Sequence, residues 1–247
     1  MAGYIGDWYG NPAVYGNGRP QTFAGSLAYG GASYAAGTGN HIGVLNYAGD
    51  DFGEPNCGQM FRKLDSSLAV TSTTAGTFYL SWLFKSGLEA SGIPYQHLLL
   101  SNGTGGRTFS AGLSFNDEPA GTTFDYEVNN AAYNTGVNEN ATVNLFVVKF
   151  DLSAAAGADN ITVWLNPTLG AGDPSGGMAV TGTDMTFDTL GIADYAANSA
   201  KWDEIRWGTS FNDVTTAPIP EPSATILGGL GMLALLRRRR TSVSVIR

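Results

Sequence analysis

Side chains able to carry nucleophilic, acid–base or metal chemistry are few in this sequence: two histidines, His41 and His97, and one cysteine, Cys57. A thiolate nucleophile needs a base beside it, and only those two imidazoles could serve. Zinc takes three or four ligands, so two lone histidines make a poor zinc site. A single cysteine excludes an intrachain disulfide, and Cys57 reads as a small buried residue. Hydrolysis of a glycosidic bond within a β-sandwich calls for carboxylates spaced along one strand, as in Glu-x-Asp-x-x-Glu, and that pattern is absent. Asp203 and Glu204 are adjacent and face opposite ways on a strand, while Asp117 and Glu118 sit beside Pro119 in a loop. The Gly-x-Ser-x-Gly elbow, the phosphate loop and His-Glu-x-x-His are missing too. Gly103 to Gly106, with Arg107 alongside and no helix following, is a hairpin tip instead of a phosphate cradle. The sequence therefore assigns no catalytic residue and predicts a protein that is not an enzyme.

Binding is the chemistry that remains. Eight basic and 20 acidic residues precede Pro218, a net charge of −12 that repels phosphate backbones, so no nucleic-acid partner is expected. The same balance tolerates a calcium ion, the one cofactor the composition leaves room for. Asp173, beside Pro174 and among the glycines at 172, 176 and 177, marks the candidate loop for a ligand or calcium, with a plain turn as the alternative. The 11 tyrosines and 5 tryptophans supply flat apolar faces for sugar rings, although aromatic residues in a sandwich also serve as core.

The C-terminal stretch is the most informative. Pro220 and Pro222 hold the backbone extended and stop regular structure at the junction. Ala224 to Leu236 follows without a charge, and Arg237, Arg238, Arg239 and Arg240 close it. A helix from 223 to 236 would be about 21 Å long at about 1.5 Å per residue, against a hydrocarbon core of about 30 Å, which suits a transient or processed span. The arginine cluster stays cytoplasmic by the positive-inside tendency and leaves the preceding chain outside. A C-terminal core helix with basic residues at its end is the alternative; it fits less well, because the segment has no polar face and carries Gly228, Gly229 and Gly231.

Together, Pro220-Glu221-Pro222, the apolar run and the arginines resemble a PEP-CTERM sorting signal over residues 219 to 240. The resemblance implies export from a Gram-negative cell that makes extracellular polysaccharide. It also implies recognition of Pro220, Glu221 and Pro222 by an exosortase-type membrane enzyme, initial anchoring in the inner membrane, and a final place at the cell surface or in the extracellular matrix. The apolar run is shorter than the family's pattern, and Thr241 to Arg247 extend past the arginines. Residues 1 to 20 carry only Arg19 and no apolar leader, so a signal peptide is expected upstream of Met1.

The elements that must position these residues read as strands. Glycine, asparagine and proline break residues 1 to 60 into loops and short strands, including 26–29 and 42–45. Aromatic and β-branched runs then predict strands at 78–84, 97–100, 108–115, 123–128, 143–151, 161–165 and 201–208, with a short helical turn at 191–198. In the last strand, Asp203, Ile205 and Trp207 are expected to face inward, with Trp202, Glu204 and Arg206 outward. Short strands separated by Gly and Asn turns predict an all-β, two-sheet jelly-roll sandwich followed by a short C-terminal hydrophobic helix.

Three phrases, Val147 to Asp151, Val163 to Pro167 and Asp203-Glu204-Ile205-Arg206 running into Gly208-Thr209-Ser210, resemble the concanavalin A-like (laminin G-like) jelly rolls over residues 20 to 215. That family includes carbohydrate-binding and adhesive modules. The expected division is a sandwich over 1–215, a Pro-rich linker over 216–223, the apolar span at 224–236 and a basic tail at 237–247. The expected role is a non-catalytic surface or matrix protein, with a carbohydrate-binding adhesin as the alternative and extracellular polysaccharide as the partner.

Overall fold

Alternating and fully apolar runs of five to ten residues build almost everything in the computed structural model, which describes residues 4–10, 19–24, 27–29, 40–45, 57–87, 95–103, 106–113, 123–139, 142–169, 172–195 and 200–216. The strands are β1 (Tyr4–Gly10), β2 (Arg19–Ala24), β3 (Asn40–Leu45), β4 (Cys57–Leu64), β5 (Gly76–Lys85), β6 (Gln96–Asn102) and β7 (Gly106–Leu113). They continue with β8 (Thr123–Val128), β9 (Ala131–Asn138), β10 (Asn144–Leu152), β11 (Asp159–Leu165), β12 (Met178–Thr183), β13 (Thr189–Tyr195) and β14 (Lys201–Gly208), and α1 spans Phe211–Thr215. One sheet runs β1-β4-β13-β6-β7-β8-β9 and the other β12-β11-β10-β5-β14-β3-β2. Neighbours pair antiparallel throughout, for instance in the β5–β10 and β6–β13 ladders, so the expected two-sheet jelly roll is the fold.

The core fills the space between the inner faces. Leu98 and Leu100 on β6, Phe109 and Ala111 on β7, and Phe124 and Tyr126 on β8 meet Trp82 and Phe84 on β5 and Phe146 and Phe150 on β10. Trp82 and Phe146 are register partners whose rings stack at 4.9 Å, and Phe109 meets Phe150 edge-on at 5.5 Å. Strand β5 is apolar on both faces because its outer face is covered too. Tyr79 and Leu83 pack there with Leu145, Val147, Trp164 and, from α1, Phe211 and Val214.

Three local expectations are corrected. Residues 189–195 form a strand, where a helical turn was expected over 191–198; residues 196–199 lie outside the described set. Gly191 is the reason. It sits between Phe61 and Leu99 in register, and a Cβ there would come within 2.8 Å of the Phe61 ring. The glycine marks close packing of a central strand, not a helix break.

In β14 the simple alternation fails. Glu204 takes φ of 51° and the pairing with β5 shifts between Asp203 and Arg206, which is a β-bulge. The extra residue moves the inward set: Trp202 is fully buried in the core, with Ile205 and Trp207 packed against it, while Asp203 turns away and accepts a hydrogen bond from the Leu27 amide at 2.7 Å. The third correction is α1 itself, a helix where none was expected. Ser210 caps it, with the Asp213 side chain returning the bond.

The chain divides into two units, Met1–Thr216 and Ala217–Arg247. The apolar segment 224–236, where the C-terminal helix is expected, and the whole second unit lie outside the described residues. No helix among the described residues is long and apolar enough to cross a membrane.

Candidate functional site

At one edge of the sandwich, the connection between β11 and β12 bends back toward β9 and leaves a cleft of about 570 Å³. Thr135 and Val137 of β9 line one side, and Thr168, Asp173 and Ser175 of the connection line the other. This is the loop in which the sequence places Asp173.

The wall is fixed by its own bonds. Asn166 adopts φ of 53°, accepts from the Leu145 amide at 2.9 Å and donates to the Asn144 side chain at 2.8 Å. Trp164 donates its indole N–H to the Pro174 carbonyl at 3.1 Å, and its ring lies so close to Gly177 that a Cβ there would reach it at 2.8 Å or less. Trp164 is therefore buried structure and offers no stacking face to a ligand. The exposed Thr168 and Ser175 hydroxyls and the apolar surface of Val137, Leu165 and Leu169 remain for a ligand.

Asp173 is already engaged. One carboxylate oxygen accepts from the Tyr79 hydroxyl at 2.8 Å, and the other lies 3.2 Å from the Lys149 ammonium. Lys149 also pairs with Asp151 at 3.0 Å, and Asp151 accepts from Thr77 at 2.7 Å. Burial and the hydrogen bond to Asp173 push the Tyr79 phenol up to about 12. Burial works against the charge on Lys149, yet the hydrogen bonds to Asp151 and Asp173 hold it above the usual lysine value. An ammonium thus stands where a calcium ion would have to sit, and this donor set does not fit one. Among the described residues no group of three His, Cys, Asp or Glu side chains could hold a metal.

A second constellation was not legible to motif reading. On the outer face of the other sheet, His97 Nδ1 lies 2.9 Å from Ser110 Oγ, and its Nε2 lies 3.0 Å from Asp125. Tyr95 stacks on His97 at 4.2 Å, and Arg107 donates to the Tyr95 hydroxyl and pairs with Glu127 at 3.4 Å. The signal that could have found it is the alternation in Thr-Phe-Asp-Tyr-Glu-Val. It puts Phe124, Tyr126 and Val128 in the core and Asp125 and Glu127 together on the opposite face.

Ser110, His97 and Asp125 are the residue types of a nucleophilic triad, but each is at most 1% exposed, and an attacking hydroxyl must meet its substrate. The three side chains form a buried polar cluster, with His97 Nε2 and the Asp125 carboxylate in close approach but outside hydrogen-bond geometry. His41 and Cys57 begin no such cluster that can be described, since their side chains lie outside the described set. Pro220, Glu221, Pro222 and Arg237 to Arg240 lie outside it as well.

Comparison with known proteins bears on both parts of the chain. The T. cruzi calreticulin globular domain superposes with a TM-score of 0.51 at 10% identity, covering 92% of this chain and 95% of that one. A carbohydrate esterase from the Shiga toxin-encoding bacteriophage phi24B gives 0.47 at 12% identity over 83% and 94% of the two chains. The GH131 β-glucanase catalytic domain from Podospora anserina gives 0.44 at 14% identity over 87% and 89%. No curated protein matches the sequence.

The body is thus a concanavalin A-like jelly roll in fold. Residues 218–240 match the family model described as the PEP-CTERM protein-sorting motif. The chain is accordingly an exported protein, first anchored in the membrane by its C-terminal segment and then located at the surface or outside the cell.

Proposed function

We propose that this is a non-catalytic surface or extracellular-matrix protein whose tail is processed by an exosortase-type membrane enzyme acting at Pro220, Glu221 and Pro222. The observation that carries the reading is the sorting motif over residues 218–240. The burial of Ser110, His97 and Asp125 supports the non-catalytic role, as does the locking of Asp173 by Tyr79 and Lys149. Fusing residues 218–247 to an exported reporter tests the sorting half: membrane retention with the segment and release without it are expected. Equal release of both fusions would overturn it.

The edge cleft favours a second reading, weak binding of extracellular polysaccharide by the body. Its size falls in the range of small-ligand sites, and it pairs hydroxyls with apolar surface, the two features a sugar ring presents. Retention of the full chain on immobilised polysaccharide, without turnover of the polymer, is the expected result. Turnover abolished by changing one acidic residue would make the protein an enzyme.

A further inference from the structure

Building on the polysaccharide-binding reading, we infer that the edge cleft takes uncharged, hydroxyl-rich glycan chains without a calcium ion and discriminates against acidic ones.

The cleft's charge and bonding carry this. Among the described lining residues Asp173 is the only ionisable one, and the others are hydroxyl, amide, glycine or apolar residues and one indole. An acidic sugar is bound by cations that match its carboxylate, and none stands among the described residues of this lining. Among the described residues the ammonium beside Asp173 is that of Lys149, which Asp173 and Asp151 share, so one positive charge meets two negative ones and the local balance stays negative. The net charge of −12 across the residues before Pro218 adds long-range repulsion of a polyanion.

Calcium is dispensable for the same reason. Each oxygen of Asp173 already has a partner, so a cation would have to displace Lys149 to reach it. The parts left to touch a ligand are uncharged: the exposed hydroxyls of Thr168 and Ser175 and the side chains of Val137 and Leu169. Hydroxyl-to-hydroxyl bonds and apolar contact suit the faces of a neutral sugar.

The test uses the full chain in detergent, measured by affinity electrophoresis through gels containing laminarin, a neutral glucan, or alginate, a uronate polymer. Each gel is run with millimolar calcium and with chelator. Retardation by laminarin at least about tenfold stronger than by alginate, a difference of about 1.4 kcal/mol, is expected and should not change on chelation. Ser175→Arg, which puts a long side chain at the exposed wall, should abolish it. Stronger retardation by alginate, or retardation only with calcium, overturns the charge inference while polysaccharide binding stands. Retardation that survives Ser175→Arg in a protein of unchanged melting temperature overturns the cleft as the site. No retardation by either polymer in folded protein overturns the polysaccharide-binding reading and this inference with it.

Discussion

His97 and Asp125 sit on strands that are not neighbours, β6 and β8, yet their side chains meet at 3.0 Å across β7. Gly112 makes this geometry possible. It stands opposite His97 on one side and Asp125 on the other, so the row across the sheet has a gap where a side chain would project. A Cβ at 112 would also run into the Gln96 carbonyl.

The pair is buried, so its partners depend on each other. His97→Leu leaves Asp125 without its imidazole and should cost about 3–5 kcal/mol in denaturant unfolding, whereas His97→Leu with Asp125→Leu should cost clearly less. Gly112→Ala should destabilise by about 3 kcal/mol through forced overpacking. Additive losses in the double variant would mean that the two side chains are not coupled.

Acid should weaken the fold through specific carboxylates. Burial alone would raise the Asp188 carboxyl, but Lys63, the Thr189 hydroxyl and the Gly103 amide bond its charged form and hold it below the ordinary 3.8. Asp213 is lowered in the same direction by the Ser210 and Thr209 bonds at the α1 cap. A depressed folded value means that this stability is complete above about pH 4 and is lost as pH falls through the folded value. Unfolding free energy measured from pH 6 downward should therefore fall below pH 4, and Asp188→Asn should make that fall shallower. An unchanged slope in the variant would remove Asp188 from the account.

At the alkaline end the sign reverses. The Tyr79 phenol is raised from 10.0 to about 12. Its contribution is full below pH 10 and is lost as pH climbs through the folded value. Spectrophotometric titration should show a late-ionising phenol that disappears in Tyr79→Phe. Tyr79 ionising with the bulk of the tyrosines would show that the Asp173 bond does not persist in solution.

The two-sheet plan was legible because hydrophobic runs of strand length report burial directly, as in Phe78 to Phe84 and Val143 to Asp151. Residue contacts across strands were not legible in the same way. Nothing in the spacing of His97, Ser110 and Asp125 reveals that they meet, since pairing register puts His97, Gly112 and Asp125 in one row across the sheet and Ser110 two residues along β7, opposite Leu99 and Glu127. Asp173 could be placed in an edge loop from its glycines and proline, but its partner Lys149 is 24 positions away on β10. The glycine-containing β13 looked like a helical turn because only the packed Phe61 ring explains Gly191.

Strand β14 supplies the last prediction, since strict alternation misassigns Trp202 there. The bulge at Glu204 lets Trp202, Ile205 and Trp207 all turn toward the core although they do not alternate in sequence. Trp202 is fully buried and packs against Phe84 at 5.5 Å, so Trp202→Ala should cost about 3–5 kcal/mol. Glu204 holds a left-handed backbone that glycine adopts without strain, while its side chain binds Arg206 through two bonds of 2.7 and 3.0 Å. Glu204→Gly should therefore be milder than a typical loss at a partly buried ion pair, within about 1 kcal/mol of the parent, because relief of strain offsets the lost pair. Glu204→Val, β-branched and unable to relax there, should lose both terms and fall well below the glycine variant. Chemical denaturation of the three variants decides the point: if valine at 204 is as stable as glycine, the bulge does not exist and Trp202 owes its burial to something else.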